Sequence, residues 1–147
     1  MSATATRVAA VDCGTNSIRL LIHDPETGEV TRENTIVRLG QGVDETGRFH
    51  PDAIERTRKA LAAYVDTMER EGVSKVRMVA TSATRDASNR DDFFAMTRDL
   101  LGRIQPGAQA EVITGEEEAA LSFAGATADI DPARGPFCVI DLGGGST

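Results

Sequence analysis

The strongest restriction on the fold comes from a pattern that occurs twice, once near each end of the chain. Residues 8–17 read as an apolar stretch, an aspartate, any residue, a glycine, two further residues and a serine. Residues 137–146 read the same way, so that Asp12 and Asp141 stand at corresponding positions. An internal repeat of this kind predicts two related units, each beginning with a strand that ends in a glycine turn.

Both turns have the residue types of a phosphate-binding loop. Glycine lets the backbone approach a ligand, and hydroxyl and amide side chains add donors without negative charge. The residues predicted to bind phosphate are Gly14, Thr15, Asn16, Ser17, Gly143, Gly144, Gly145, Ser146 and Thr147. Asp12 and Asp141 would face phosphate only through a hard cation such as Mg²⁺ or through a water, so they are candidate metal ligands. Two ordinary hairpin turns rich in Asp and Gly are the alternative.

Between the two turns, the hydrophobic pattern predicts three strands followed by alternating helices and strands. The predicted strands are 8–11, 18–23, 29–37, 76–80 and 112–113. The predicted helices run from Asp52 until Gly72 ends the segment, over 91–101, and onward from Thr114. The segments 39–47 and 81–84 are predicted to be a loop and a turn. The order βββαβαβα predicts an α/β fold with a mixed sheet.

The composition near the second turn predicts a domain boundary. Residues 129–136 contain two prolines and a glycine, and a new predicted strand, 137–140, follows them. We expect 1–128 to form one domain, 129–136 a linker, and 137–147 the first strand and phosphate loop of a second, truncated domain. A site closed by two units loses its positioning when one is missing, so we expect little or no catalysis from these 147 residues alone.

Charge and hydropathy exclude several classes of protein. The chain has 16 basic and 23 acidic side chains and a net charge of −7, which argues against nonspecific binding of nucleic acid. Its apolar runs are far shorter than the roughly 18 residues that cross a bilayer, so we expect no membrane partner and a cytoplasmic location. Cys13 and Cys138 lie far apart in apolar segments and are predicted to be buried thiols rather than a disulfide or a metal site.

Four motifs occur in order along the chain, at 12–17, 80–85, 113–119 and 140–147. With the element order and the linker, they resemble the actin-like ATPase superfamily, whose domains are ribonuclease H-like. More narrowly, the four motifs together resemble the exopolyphosphatase and guanosine pentaphosphate phosphohydrolase family. The segment 37–42 also resembles a family loop near the cleft, with a plain connecting loop as the alternative.

The resemblance implies a reaction and two catalytic residues. Glu118 falls at the position of the base that activates water, and Arg85 is expected to grip a terminal phosphate. The implied substrate is inorganic polyphosphate or guanosine pentaphosphate. Mg²⁺ or another divalent cation is the implied cofactor, and a homodimer is one expected oligomeric state. An ATP-dependent kinase or ATPase of the same superfamily and a polyphosphate-binding domain without activity are the alternatives.

The positions of the three glutamates after Thr114 in the predicted helix indicate different roles for them. With Thr114 as N-cap, Glu117 is predicted to complete a capping box by reaching back to the Thr114 N–H. That leaves Glu116 or Glu118 to face a ligand. An acidic first turn is also common for structural reasons alone, because it complements the helix dipole.

Overall fold

The computed structural model describes residues 6–147. The strands of this part of the chain are β1 (Arg7–Cys13), β2 (Ser17–Asp24), β3 (Gly28–Ile36), β4 (Val73–Ala80) and β5 (Ala110–Val112). Its α-helices are α1 (Val43–Thr46), α2 (Pro51–Arg70), α3 (Ser82–Asp86), α4 (Arg90–Leu101) and α5 (Gly115–Thr127), and a 3₁₀-helix spans Pro132–Arg134. None of the helices in residues 6–147 is both long and apolar enough to cross a membrane.

The strands form a mixed sheet in the order β3-β2-β1-β4-β5. The first three strands form an antiparallel meander, whereas β1 pairs in parallel with β4, and β4 with β5. The predicted α/β, ribonuclease H-like fold with a mixed sheet is confirmed. Because the carboxyl ends of β1, β4 and β5 lie at one edge of the sheet, the segments that follow these strands meet there.

Buried and more exposed side chains alternate along β1 and β2, so one face of the sheet is covered. In β1 the side chains of Ala9, Val11 and Cys13 are buried and their neighbours are not. The same period of two holds in β2, as expected for a sheet with one covered face. The helix α2 contributes Leu61 and Met68 to the same core, both fully buried. Each such side chain stabilises the fold by about 1.5–3 kcal/mol.

The single tyrosine of the chain connects α2 to the sheet. Tyr64 is buried, and its hydroxyl donates to the carbonyl oxygen of Ile18 at 2.9 Å. The same hydroxyl lies 2.7 Å from Thr35 Oγ1, so that one side chain joins α2 to both β2 and β3. Its polar end is therefore satisfied inside the core.

Two segments predicted to be irregular form short helices. The predicted loop 39–47 contains α1, which is bounded by Gly42 and Gly47 with φ angles of 72° and 69°. Glycine takes this left-handed conformation without a steric penalty, which allows a single helical turn between them. The predicted turn at 81–84 is part of α3, a helix of one turn that was too short to produce a periodic pattern.

Residues 137–140, predicted to be a strand, form none in the described part of the chain. A strand needs a neighbour to complete its hydrogen bonds, and no strand within residues 6–147 pairs with this segment. Cys138 is accordingly exposed, which makes its predicted burial wrong, whereas Cys13 is buried as expected and both thiols are free. The other elements lie within a few residues of their predicted bounds.

We predict that Tyr64→Phe lowers the free energy of unfolding by about 1–2 kcal/mol, because the buried carbonyl of Ile18 loses its donor. Urea unfolding followed by circular dichroism measures the loss. Thr35→Val should cost less, since Thr35 is only half-buried and water can replace its hydroxyl. Equal stability of Tyr64→Phe and the parent protein would contradict the structural role of this hydroxyl.

Candidate functional site

The first glycine turn joins β1 to β2 and is held from outside by a neighbouring loop. The N–H of Gly14 donates to the carbonyl of Ser17 at 2.9 Å and closes the turn. The carbonyl of Asn16 accepts from the N–H groups of residues 37 and 38, and that of Thr15 accepts from Gly40, all at 2.9 Å. These carbonyls are therefore occupied by donors of the protein.

The second glycine turn repeats the hydrogen bond of the first. The N–H of Gly143 donates to the carbonyl of Ser146 at 2.9 Å, as Gly14 does to Ser17. The repeat seen in the sequence is therefore also a repeat in local geometry.

The two turns lie face to face, in contact through glycine. A Cβ on Gly144 would lie 2.5 Å from Asn16 Nδ2. A Cβ on Gly145 would lie 2.7 Å from Thr15 Oγ1 and 2.9 Å from Ser82 Oγ. A larger residue at these positions would require those side chains to move or the turns to separate. The structure thus brings the two predicted phosphate loops together, while their binding of phosphate stays a prediction.

A cleft of about 380 Å³, here called the turn cleft, lies between the two turns. Besides the residues of the turns, it is lined by Asp12, Arg19, Thr81, Ser82, Glu118, Asp141 and Leu142. Thr147 is not among its lining residues. It lines a second cleft of about 550 Å³, here called the adjoining cleft, which also contains Arg85.

Of the three glutamates in the first turn of α5, Glu118 is the one that lines the turn cleft. Thr114 Oγ1 accepts from the N–H of Glu117 at 3.1 Å, as predicted for the N-cap. The return bond of the capping box is absent, because the Glu117 carboxylate accepts from Arg77 Nη2 at 3.0 Å instead. Glu118 lines both clefts with 27% of its side chain exposed, whereas Glu116 is exposed and lines neither.

Arg85 contacts Glu118 from the side of the adjoining cleft. Its Nη1 donates to the carbonyl of Ile113 at 2.6 Å and its Nη2 to Glu118 Oε2 at 3.3 Å. It does not line the turn cleft, but it shares the adjoining cleft with Gly143, Ser146 and Thr147 of the second turn. A guanidinium has five N–H donors, and these two bonds leave three of them for other acceptors.

The carboxylates at the turn cleft interact electrostatically. Partial burial raises the pKa of Asp12, the charge of Arg19 lowers it, and the charges of Glu118 and Asp141 raise it. Asp141 Oδ2 accepts a hydrogen bond from Ser122 Oγ at 3.2 Å. The charges of Glu118 and Asp141 thus disfavour the charged form of Asp12, and a cation beside Asp12 would relieve that repulsion.

The carboxylate oxygens of the turn cleft fit a hard cation that takes only some of its ligands from the protein. Carboxylate oxygens are the ligands that Mg²⁺ prefers. Within residues 6–147, however, no three His, Cys, Asp or Glu side chains converge to form a metal cage. A cation between Asp12 and Asp141 would complete its coordination with water and phosphate oxygens, which is the usual arrangement for Mg²⁺.

Sequence reasoning missed Arg19 and Ser82 as members of the site. Arg19 is the cross-strand partner of Asp12, and counting the hairpin register outward from the first turn would have identified it. Ser82 Oγ lies 2.8 Å from Thr15 Oγ1. The sequence indicates Ser82 less clearly, because its place depends on the parallel alignment of Cys13 with Ala80 at the ends of β1 and β4.

A protein-family model and a protein of known name match most of the chain. The family model described as "Ppx/GppA phosphatase family" matches residues 22–147. The Mycobacterium tuberculosis protein named exopolyphosphatase 2 is 61% identical over 149 residues, which cover 97% of this chain and 47% of that protein. The chain thus spans about half the length of this relative.

Two solved structures resemble the chain over most of its length. The crystal structure of an exopolyphosphatase-like protein superposes with a TM-score of 0.79 at 44% identity, covering 95% of this chain and 42% of that one. The crystal structure of the Aquifex aeolicus member of the Ppx/GppA family has a TM-score of 0.71 at 32% identity, covering 86% and 41%.

We predict that Gly145→Ala weakens binding of inorganic triphosphate to the full-length protein by about tenfold, because the added methyl group displaces the hydroxyl groups of Thr15 and Ser82 between the two turns. Isothermal calorimetry measures the affinity. Gly125→Ala is the matched control, since a Cβ there meets open space on α5 and should leave binding unchanged. Equal affinity in both variants would show that the contact between the turns does not matter for binding.

Proposed function

This chain belongs to the Ppx/GppA phosphatase family, and on that premise we propose that the whole protein is an exopolyphosphatase. It hydrolyses the terminal phosphate of inorganic polyphosphate, with guanosine pentaphosphate as the second substrate. The observation that carries the proposal is the turn cleft, where both glycine turns, Asp12, Asp141 and Glu118 line one space. The name of the M. tuberculosis relative supports polyphosphate as substrate.

In the proposed reaction the terminal phosphate lies between the two turns and accepts their N–H and hydroxyl donors. A water held by Glu118 attacks the terminal phosphorus in line with the bridging oxygen, and the carboxylate takes up a proton of that water. The bond between phosphorus and the bridging oxygen breaks, and its electron pair stays on the shortened chain. The products are orthophosphate and a polyphosphate that is one unit shorter.

Two arginines are suited to offset the charge of the substrate. Arg19 lines the turn cleft beside Asp12, within reach of an anion held by the first turn. Arg85 is held on Glu118 and has free N–H donors for phosphate oxygens that approach the Glu118 carboxylate. We propose that Arg85 neutralises charge that develops on the phosphate during transfer.

We propose that Asp12 and Asp141 hold the divalent cation, with Mg²⁺ the metal that fits oxygen ligands best. When bound, the ion would offset negative charge on the phosphates. The two carboxylates come from opposite walls of the turn cleft, so each would contribute one side of the site. Ser122 Oγ, which donates to Asp141 Oδ2, orients that carboxylate.

We further propose that 1–128 form the first domain, 129–136 the linker and 137–147 the start of the second domain. The end of α5 at Thr127 and the shared hydrogen-bond pattern of the two turns support this division. A cytoplasmic location is part of the proposal and is supported by the two free cysteines. The homodimer stays a prediction.

Phosphate release by the full-length protein from polyphosphate, guanosine pentaphosphate and ATP in parallel tests the function. We predict that Glu118→Gln lowers kcat on polyphosphate by about 10²–10⁴-fold, because the amide cannot accept the proton of the attacking water. Affinity for polyphosphate should not fall, because the substitution removes a negative charge beside the anion.

Glu116→Gln is the matched control, because Glu116 lies on the same turn of α5 but lines neither cleft. It should keep the parent kcat. Full turnover by Glu118→Gln would refute the assignment of the base. Binding of polyphosphate by the parent protein without release from any of the three substrates would refute the enzymatic function itself.

We predict that a chelator stops phosphate release and that added Mg²⁺ restores it. Asp12→Asn should raise the Mg²⁺ concentration for half-maximal activity by about tenfold, because an amide is a weaker ligand than a carboxylate. Asp129→Asn, an exposed carboxylate that lines neither cleft, should leave the Mg²⁺ dependence unchanged. Identical Mg²⁺ curves for the two variants would remove Asp12 from the metal site.

A further inference from the structure

Arg56 of α2 binds the segment that supports the first glycine turn. Its Nε donates to the carbonyl of Val37 at 2.8 Å. Its Nη2 donates to Gln41 Oε1 at 2.7 Å and lies 3.3 Å from the carbonyl oxygen of Arg38. All three acceptors are neutral oxygen atoms. A hydrogen bond from a charged donor is stronger than one between two uncharged groups, so this side chain fixes the direction of the Val37 carbonyl.

The ladder between β2 and β3 shows what the Val37 carbonyl would otherwise bind. At every second pair of an antiparallel ladder, the two opposite residues exchange both N–H···O bonds. Residues 16 and 37 come directly after the pair of Ser17 with Ile36. The N–H of Val37 donates to the carbonyl of Asn16 at 2.9 Å, so they are a hydrogen-bonded pair. The second bond of this pair would run from the Asn16 N–H to the Val37 carbonyl.

That second bond is not formed between these two described residues. The Val37 carbonyl accepts from Arg56 instead, and the backbone of Arg38 leaves the ladder with a left-handed φ of 51°. The N–H of Asn16 consequently has no backbone acceptor within residues 6–147. Asn16 is exposed and lines the turn cleft, so the ladder ends at a residue of the predicted phosphate loop with one donor left unpaired.

An unpaired N–H is what a phosphate-binding turn needs. Successive backbone N–H groups of such turns bind the oxygen atoms of an anion. An N–H that is already paired with a carbonyl would first have to give up that hydrogen bond, and the anion would then gain less from it. The donor that occupies the Val37 carbonyl therefore affects how well the first turn can bind phosphate.

The location of Arg56 suits an indirect role of this kind. It lines neither the turn cleft nor the adjoining cleft, so it acts on the turn through the backbone. It is carried by α2, a helix of 20 residues whose neighbouring side chains Thr57 and Leu61 are fully buried. A donor mounted on a helix that is packed in the core keeps its place whether or not a ligand is bound.

We propose that Arg56 is a positioning residue of the reaction: by occupying the Val37 carbonyl, it keeps the Asn16 N–H free to bind a phosphate oxygen. This inference rests on the proposed function, because it concerns how the substrate of that reaction is bound. Without Arg56, the ladder between β2 and β3 would extend by one hydrogen bond and withdraw a donor from the first turn.

Hydrogen exchange of the Asn16 amide, followed by nuclear magnetic resonance in the full-length protein, tests the proposal. Arg56→Met should slow this exchange about tenfold in the absence of ligand, because the Val37 carbonyl becomes free to accept the N–H. Loss of stability alone would speed the exchange instead. The same variant should bind inorganic triphosphate about tenfold more weakly in isothermal calorimetry, since the N–H must first leave that carbonyl.

Arg58→Met is the matched control, because Arg58 lies on the same helix, is exposed and donates to Glu55 instead. It should keep the parent exchange rate and the parent affinity. Unchanged or faster exchange at Asn16 in Arg56→Met would overturn the proposal. That holds even if triphosphate binds more weakly, because loss of the positive charge of Arg56 would then explain the weaker binding.

A milder variant and the parent protein supply tests that do not depend on the folding of Arg56→Met. Arg56→Lys keeps the charge but replaces the planar fork by a single nitrogen, so it should slow exchange at Asn16 by a smaller factor. Exchange at the parent rate together with weaker triphosphate binding would overturn the proposal. In the parent protein, saturating triphosphate should protect the Asn16 N–H, and a lack of protection would also overturn it. Protection in a protein that releases no phosphate would refute the proposed function alone.

Discussion

The parallel pairing of β1 with β4 is the constraint from which the site follows. It aligns Cys13 with Ala80, so that the first glycine turn and the start of α3 leave the sheet side by side. The N–H of Thr81 donates to the carbonyl of Cys13 at 3.2 Å and continues this pairing beyond the strands. Ser82 is thereby brought to Thr15, and β5 adds the start of α5, which carries Glu118, at the same edge. Residues that are remote in the sequence become neighbours because three parallel strands end together.

Close contact through glycine is the second constraint. Gly144 and Gly145 have no side chains, which allows the second turn to lie directly against the side chains of Asn16 and Thr15. The carboxylates at the ends of the two preceding strands, Asp12 and Asp141, then share one cleft. Burial raises the pKa of Asp12, and the charges of Glu118 and Asp141 raise it further. The cation proposed for this cleft would relieve the repulsion.

The sequence predicted most of the fold because its strands and long helices have clear periods. The hairpin of β1 and β2, the helix α2 and the order of elements all follow from apolar spacing and from glycine or proline at the ends. The helices α1 and α3 were missed, since a single turn has no period to detect. The expected strand at 137–140 was wrong for another reason: its pattern describes a strand, but forming one requires a partner that these residues do not contact.

The sequence predicted many of the residues that form the site, but it did not predict how they are arranged in space. The glycine turns were visible from the repeat, and Thr114 was recognisable as an N-cap. The pairing of Glu117 with Arg77 was not, because it depends on the position of β4 relative to α5. For the same reason the place of Arg85, outside the turn cleft and in contact with Glu118, could not be read from its motif. Spacing along the chain indicates which residues are near an edge, but not on which side of a carboxylate each one lies.

The outer support of the first turn has a consequence for how a ligand is received. The backbone of Arg38 takes a left-handed φ of 51°, and Gly40 is so close to the methyl group of Thr15 that a Cβ would collide with it. These contacts immobilise the peptide units of Thr15 and Asn16 during folding, before any anion arrives. If the turn binds an anion as proposed, its donors have little conformational entropy left to lose, and their hydrogen bonds would contribute to affinity almost undiminished.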